Sequence, residues 1–386
     1  MQKNVFIIGS KGIPARYGGF ETFVDNLTKY WKRDDIKFHI SCPKINFESD
    51  YEFNNARCFI INVAKLGGFG SILYDLISLK ECLKYIIRNN LKGSIIYMLT
   101  YRIGPFLFLF KKNIKKHKVK LYLNTDGLEF NRKKWNRLVR LYWEISRILT
   151  YKVVDLIICD SREIQKIISN DFSRISDKTI YISYGAELKR SGISEEKQEI
   201  INWFKNSNVI KNNYYLYVGR FVPENNVEFI INEYIDSESK KDLVLITNTK
   251  YEHGYYNNLN KKFNLDENKK ILFPGTVYNK DLLKIIRENA FAYIHGHEVG
   301  GTNPSLLEAL AITKINLVLK VAFNEEVCAD SVLYFEKSSG SLKNLIIKIE
   351  KSDLHSFEDL SQKAKSRIMK YYTWDKVVKE YEKIFD

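Results

Sequence analysis

The chain has 386 residues, too long for one average domain, and predicts two. Its five cysteines, Cys42, Cys58, Cys82, Cys159 and Cys328, are scattered without metal-ligand spacing, which excludes a disulfide framework and points to a reducing cytosol. The net charge is +15, and residues 1–186 carry all of it, with 32 Lys+Arg against 17 Asp+Glu, while residues 187–386 hold 29 of each. A one-sided field of this kind implies a polyanionic partner: a nucleic acid, an anionic membrane or a phosphorylated substrate. No nucleic-acid reading motif accompanies it, so nucleic acid is not the expected partner. Met1 leads almost directly into a strand, so no signal peptide is expected. The longest apolar run, Ile103 to Phe110, is far shorter than the ~18 residues a membrane span needs.

In chain order, Asn4–Ile8 reads as a buried strand ending in Gly9. A long loop follows, Ser10 to Thr22, holding Gly12, Gly18, Gly19, Lys11, Arg16 and Tyr17. A helix with Phe23, Val24, Leu27, Tyr30 and Trp31 on one face comes next. A loop at the carboxyl end of a strand is where open α/β sheets bind ligands. This one matches neither the dinucleotide fingerprint nor the Lys-Ser/Thr phosphate loop, so neither NAD nor ATP is expected. Further strands are expected at Lys37–Ser41, Cys58–Val63, Ser94–Leu99, Val119–Asn124, Val154–Asp160 and Lys178–Ser183, with amphipathic helices such as Ile72–Arg88 between them. This alternation predicts a parallel sheet covered on both faces. Its strand ends carry Asn124-Thr125-Asp126-Gly127, Asp160-Ser161 and Tyr184-Gly185-Ala186-Glu187. Asp126 is the acid placed to meet a reacting sugar, and a turn or cap aspartate before Gly127 is the equal alternative.

Two basic segments stand in this half. Lys111-Lys112-Asn113-Ile114-Lys115-Lys116-His117-Lys118-Val119-Lys120 carries six lysines. Arg132–Lys152 reads as a helix, with Trp135, Leu138, Val139, Tyr142, Ile145 and Leu149 as the stripe turned to the core. Arg137, Arg140, Glu144 and Arg147 line the opposite face. A basic helix rich in Trp and Tyr suits an anionic membrane surface, with Lys111, Lys112, Lys115, Lys116, Arg137, Arg140 and Arg147 facing it. The alternative is a core helix with a solvated basic face.

Residues 187–193 read as a linker, and a second α/β alternation follows. Its strands are expected at Tyr214–Val218, Leu243–Thr247, Ile271–Phe273, Phe291–His295 and Ile315–Leu319, with helices over Leu342–Lys351 and Phe357–Tyr371 and a last helix capped by Thr373. Arg220, just past a strand, is suited to clamp a diphosphate, or else makes a surface ion pair. The stretch Glu298-Val299-Gly300-Gly301-Thr302-Asn303-Pro304-Ser305-Leu306-Leu307-Glu308 reads as a small-residue turn opening a helix at Pro304. Gly300 and Gly301 let a ligand approach the backbone, and the helix N-terminus behind them suits a phosphate. Glu308, one helical turn on, is suited to accept hydrogen bonds from sugar hydroxyls. An ordinary strand–turn–helix with a surface glutamate is the plain alternative. Two nucleotide-type sheets in tandem suggest a cleft between domains.

These residues together resemble the GT-B nucleotide-sugar glycosyltransferases, glycosyltransferase family 4 in particular. Val218-Gly219-Arg220 with Pro223-Glu224, the 300–310 turn-helix, Asp160-Ser161, Tyr184-Gly185-Ala186 and Thr373-Trp374-Asp375 carry the likeness. The opening Gly9-to-Phe23 loop, Asp126-Gly127-Leu128-Glu129 and Gly300-to-Ala309 look like the bacterial rhamnosyltransferases of capsule and cell-wall polysaccharide assembly. The resemblance implies two Rossmann-like, doubly wound parallel-sheet domains, residues 1–187 and 188–370, with a terminal helix over 371–386 crossing back onto the first. It implies a retaining transfer, with dTDP-L-rhamnose as donor and a sugar on undecaprenyl diphosphate as acceptor, at the cytoplasmic face of the membrane. Gly18, Gly19, Arg220, Gly300, Gly301, Thr302, Asn303 and Glu308 would bind the donor. Arg16, Tyr17, Phe20 and Glu21 would form the acceptor loop, and Asp126 and Glu298 are the catalytic candidates. No metal is expected, because Arg220 and helix termini would neutralise the diphosphate. The chain departs from the wider family in three places. Asn225 stands where a lysine is common, Gly300 where the family's first glutamate falls, and Asn124-Thr125-Asp126 where it has a histidine. A transferase using another nucleotide sugar, or a GT-B sugar-nucleotide epimerase, is the alternative.

Overall fold

The computed structural model describes residues 2–15, 18–44, 47–63, 67–125, 136–249 and 253–386. The chain forms two compact units, Met1–Tyr184 with Trp374–Asp386, and Gly185–Thr373.

The first unit holds β1 (Lys3–Ile8), α1 (Gly19–Tyr30), β2 (Ile36–Pro43), β3 (Tyr51–Phe53), β4 (Ala56–Ile61), α2 (Gly67–Arg88), β5 (Ile95–Met98), a 3-10 turn over Gly104–Phe110, α3 (Lys111–Lys116), β6 (Lys120–Asn124), α4 (Arg137–Val153), β7 (Leu156–Cys159), α5 (Arg162–Asp171) and β8 (Thr179–Tyr181). The strands order as β3-β4-β2-β1-β5-β6-β7-β8. All pairings are parallel except β3 with β4. Val5, Phe6, Ile7, Ile95, Ile96, Leu121, Leu123, Ile157 and Ile158 are buried, the continuous apolar runs of a sheet covered on both sides. The small antiparallel addition, unread in the sequence, turns on Asn54 and Asn55, both at positive φ, a geometry asparagine tolerates.

The second unit holds α6 (Gln198–Asn206), β9 (Tyr214–Val218), α7 (Val227–Asp236), β10 (Asp242–Ile246), α8 (His253–Phe263), β11 (Ile271–Leu272), α9 (Lys280–Glu288), β12 (Ala292–His295), α10 (Pro304–Ile312), β13 (Asn316–Leu319), α11 (Ala322–Cys328), β14 (Leu333–Phe335), α12 (Ser341–Lys351) and α13 (Glu358–Tyr371). Its sheet is parallel throughout, ordered β11-β10-β9-β12-β13-β14. The Ala186 amide donates to the Tyr372 carbonyl at 2.7 Å and ties the two ends of this unit. Residues 187–193, read as linker, are fastened to α9. Glu187 pairs with Lys284 at 2.7 Å, and the Ser191 amide donates to Glu288 at 3.1 Å.

The terminal helix α14 (Trp374–Phe385) belongs to the first unit. Tyr381 and Phe385 are fully buried. The Tyr381 and Tyr97 hydroxyls share a hydrogen bond of 2.8 Å, and Phe385 meets the rings of Trp31, Phe38, Tyr97 and Tyr122. Thus the last turn of the chain fills the core beside β1, β2, β5 and β6. Phe385→Ala should lower the stability of the protein by about 3–5 kcal/mol, because such a cavity cannot close by small shifts. Chemical denaturation of the two proteins checks this.

His39 is buried on β2, stacked on Phe6 at 4.3 Å, with its Nε2 2.9 Å from the Asn4 side-chain Oδ1. Burial, aided by Arg57 and Lys37, pushes its pKa from the usual 6.5 down to about 3. The unfolded chain therefore takes up this proton first on acidification. The contribution is complete above about pH 6.5 and is lost as pH falls toward about 3, at up to about 1.4 kcal/mol per pH unit. His39→Phe should flatten that part of the stability–pH curve, measured by denaturation between pH 7 and 4.

Candidate functional site

At the carboxyl edge of the second sheet two loops are stitched together. The Ser305 hydroxyl donates to the Val218 carbonyl at 3.0 Å, and Tyr293 meets the same carbonyl at 3.4 Å and Ser305 at 3.0 Å. The ends of β9 and β12 and the first turn of α10 are thereby one assembly. Beside it the Glu298 amide donates to the Glu224 carbonyl at 3.2 Å, and Asn226 donates to the Gly296 carbonyl at 2.9 Å. Two glycines permit this closeness. A Cβ on Gly219 would stand 2.7 Å from the His297 ring and from the Tyr217 hydroxyl, and one on Gly296 would stand 2.7 Å from the Asn225 carbonyl. Tyr217, His297, His295 and Tyr293 form a run of stacked rings under the loops. Burial, then the neighbouring His297, holds the His295 imidazole well below its usual range, so this ring is neutral. None of these ring contacts was read from the sequence; the His295-Gly296-His297 spacing was their one visible sign.

Arg220 sits on the first loop with its carbonyl held by the Tyr217 hydroxyl and the Asn225 amide group, both at 2.9 Å. Asn225, which replaces the expected lysine, thus shapes the Arg220 turn. The Arg220 side chain is exposed and has no ion-pair partner among the described residues. On the second loop Asn303 caps α10, its side chain accepting the Ser305 amide at 2.9 Å. The Leu306 and Leu307 amides turn back to the Asn303 carbonyl. The helix N-terminus is therefore largely self-satisfied. The Gly300 and Gly301 amides, like those of Val299 and Asn303, meet no acceptor among the described residues, with open space where a Gly300 side chain would be. Gly300 has φ 143°, a region glycine enters freely. Thr302 is buried behind them.

The two glutamates of this region have separate jobs. Glu308 pairs with Arg287 of α9 at 2.6 Å, and the Arg287 side chain is only 3% exposed. Ser305 lies 3.5 Å from the same guanidinium. Arg287, missed in the sequence because a buried arginine has no pattern of its own, fixes the orientation of Glu308. Glu298 holds the turn: its Oε2 accepts from Lys337 at 2.7 Å and from Asn226 at 3.2 Å.

In the first unit the loop after β1 is braced by acids of α1. Glu21, buried, accepts the Lys11 amide at 2.6 Å, and Asp25 accepts the Ala15 amide at 3.1 Å. Gly18, at φ 121°, leaves the space that the Glu21 carboxylate occupies. Gly19 is exposed and Phe20 half-buried. Arg16, Tyr17 and Asp126 lie outside the described residues.

The basic helix turns a different face inward from the one expected. Ser146, Arg147, Thr150 and Tyr151 are the buried face of α4. Leu138 is 78%, Leu141 56%, Ile145 43% and Leu149 37% exposed. Arg147 therefore does not face outward: it pairs with Glu144 at 2.7 Å and Asp171 at 3.0 Å. The cause is close packing of small residues. The Gly104 amide donates to the Ser146 hydroxyl at 3.0 Å, and a Cβ on Gly104 would stand 2.6 Å from the Thr150 hydroxyl. Lys111, Lys112, Lys115, Lys116, Arg137 and Arg140 are exposed as expected.

The family model described as domain of unknown function DUF1972 matches residues 2–187. An uncharacterized glycosyltransferase of Methanocaldococcus jannaschii is 27% identical over 390 residues, 96% of this chain and 95% of that protein. Sucrose-phosphate synthase of Thermosynechococcus elongatus is similar in structure, with a TM-score of 0.77 at 14% identity over 100% of this chain and 98% of that one. Anabaena HepE in complex with UDP-glucose gives 0.73 at 14% identity over 100% and 99%. The fold is that of these GT-B glycosyltransferase structures, two parallel-sheet α/β domains, as the sequence led us to expect.

Gly219→Ala should displace the His297 ring or the Arg220 loop, since its Cβ would stand 2.7 Å from the ring and from the Tyr217 hydroxyl, and should cost about 1–3 kcal/mol. Thermal melting, with nucleotide binding by calorimetry, measures both consequences.

Proposed function

We infer that this chain is a glycosyltransferase that takes its sugar from a nucleoside-diphosphate donor held on the second unit. The observation that carries this reading is one polar surface at the strand ends. It holds an exposed Arg220, on a loop stitched to the glycine turn, and among the described residues neither its guanidinium has an ion-pair partner nor the Gly300 and Gly301 amides an acceptor. Backbone amides and a guanidinium together suit a diphosphate. As the bond between the sugar and the diphosphate breaks, negative charge grows on the leaving oxygens, and fixed donors aimed there stabilise the transition state more than the ground state. Glu308, oriented by Arg287, has a second carboxylate oxygen to accept hydrogen bonds from sugar hydroxyls. A mechanism resting on leaving-group stabilisation needs no metal ion. Glu298 acts here by shaping the turn, and Asp126 remains the candidate for contact with the reacting sugar. The M. jannaschii relative carries a glycosyltransferase name and HepE was solved with UDP-glucose, which agrees with this reading.

The finer assignment follows the motif resemblance: dTDP-L-rhamnose as donor and a sugar on undecaprenyl diphosphate at the cytoplasmic leaflet as acceptor. The positive field of residues 1–186 supports a phosphorylated acceptor.

A panel of nucleotide sugars with a lipid-diphosphate-glucose acceptor tests the whole reading. Conversion with dTDP-rhamnose alone is expected, and conversion with a different donor would remove the rhamnose assignment. Arg220→Ala should lower turnover about a hundredfold or more while melting is unchanged, because the side chain stabilises charge and supports no packing. Full activity in that variant would sink the diphosphate site.

A further inference from the structure

The exposed face of α4 is apolar, and α4 is one helix among many that bury such a face. Leu138, Leu141, Ile145, Leu149 and Val153 fall within one third of the helix circumference, and each is at least 37% exposed. The opposite face is spent on the first unit, through Ser146, Thr150 and the Arg147 ion pairs. The neighbouring 3-10 turn, which packs on α4 through Gly104, adds Phe108 at 68% and Leu109 at 62% exposure. Directly after it come Lys111, Lys112, Lys115 and Lys116 on α3, all exposed and without an acid among them. Arg137 and Arg140 are exposed at the start of α4, and its one acid, Glu144, is taken up by Arg147. The helix is 17 residues long, and no described helix is long and apolar enough to cross a membrane.

An apolar stripe this large, left in water, is unfavourable unless something covers it. Two occupants would cover it: a lipid bilayer or a second copy of the chain. The charges decide between them. A second copy would bring its own lysines and arginines toward this cationic rim, and like charges would oppose the contact. An anionic bilayer satisfies both features, taking the apolar stripe into the acyl boundary and pairing the rim with its headgroups.

We propose that the α4 stripe with the adjoining Phe108–Leu109 turn is a monotopic membrane-docking face that inserts into an anionic bilayer, with the α3 lysines bound to the headgroups. This differs from a purely electrostatic attachment, in which the basic face of α4 would lie on the surface. The buried Arg147 takes one of the three arginines out of that face, and the leucines stand at the surface instead. The proposal stands on the first unit alone and does not depend on the donor site.

The full-length chain is mixed with vesicles of phosphatidylcholine, with and without phosphatidylglycerol, and bound protein is separated by flotation. Wild type should bind the phosphatidylglycerol vesicles. Added salt should weaken that binding yet leave a residual fraction, because salt screens the lysines and not the apolar contact. Leu141→Ser with Ile145→Ser should lower vesicle affinity about tenfold or more, with melting unchanged, since both side chains already face water. Lys115→Ala with Lys116→Ala should remove the preference for phosphatidylglycerol and keep the salt-resistant fraction. Arg220→Ala should bind as wild type, so that loss of the donor reading leaves this result intact. Equal binding by the Leu141/Ile145 double variant, or no binding by wild type, overturns the proposal. So does a solution dimer of wild type that the same double variant converts to monomer, which assigns the face to a second copy.

Discussion

The Val218 carbonyl is the point on which the second unit's ligand edge depends. It stands at the end of a strand, where the sheet no longer supplies a partner, and a buried carbonyl must find one. It finds two hydroxyls, from Ser305 at the start of α10 and Tyr293 on β12. Because those side chains are committed, the chain leaving β9 has one way to turn. Gly219 passes under the His297 ring with no room for a Cβ, and the Arg220 carbonyl is taken by Tyr217 and Asn225. The guanidinium is thereby sent outward, and the glycine turn is held with its amides unspent. An outward-facing arginine here is a consequence of how a strand-end carbonyl is satisfied.

The first unit solves the same topological problem with opposite chemistry. Its loop after β1 is held by carboxylates, Glu21 and Asp25, that accept the Lys11 and Ala15 amides. Those amides are consumed in bracing the loop, whereas the Gly300 and Gly301 amides meet no acceptor among the described residues. The two sheets therefore differ in what their edges offer, although both are parallel but for the β3–β4 pair and both carry glycine-containing loops. A diphosphate is better matched to the second edge, where Glu298 and Glu308 each have a cation beside them: Glu298 has Lys337 and Glu308 has Arg287.

The net charge of the first half and its hydrophobic pattern come apart in the structure. Charge counting located a cationic region, and the α3 lysines lie on the surface as that counting implies. Arg147 does not, because two carboxylates and the Phe172 ring, 4.9 Å away, compensate its burial. In its place the surface gains leucines and isoleucines. A region that composition describes as basic is physically amphipathic, and its chemistry toward a partner changes accordingly.

The sequence by itself determined the elements and their class. Apolar runs such as Val5–Ile8, Ile95–Met98 and Tyr214–Val218 are strands because a strand buried on both faces must be apolar throughout, a local property. Asn303-Pro304 opened a helix for an equally local reason. Two three-residue strands, β3 and β14, were not legible, whereas β8 and β11, as short or shorter, fall within strand signals that the sequence carries. Tertiary structure alone decided which neighbours meet. It set the pairing of Arg287 with Glu308, the covering of His295 by His297, and the closing of the first core by Phe385 from the far end of the chain. It also decided which face of α4 turns inward. Periodicity reports which residues share a face, and it assumes the apolar face goes to the core. That assumption fails where Gly104, Ser146 and Thr150 let backbones approach closely enough for hydrogen bonds to hold the polar face in place, and no sequence period records the approach of a distant glycine.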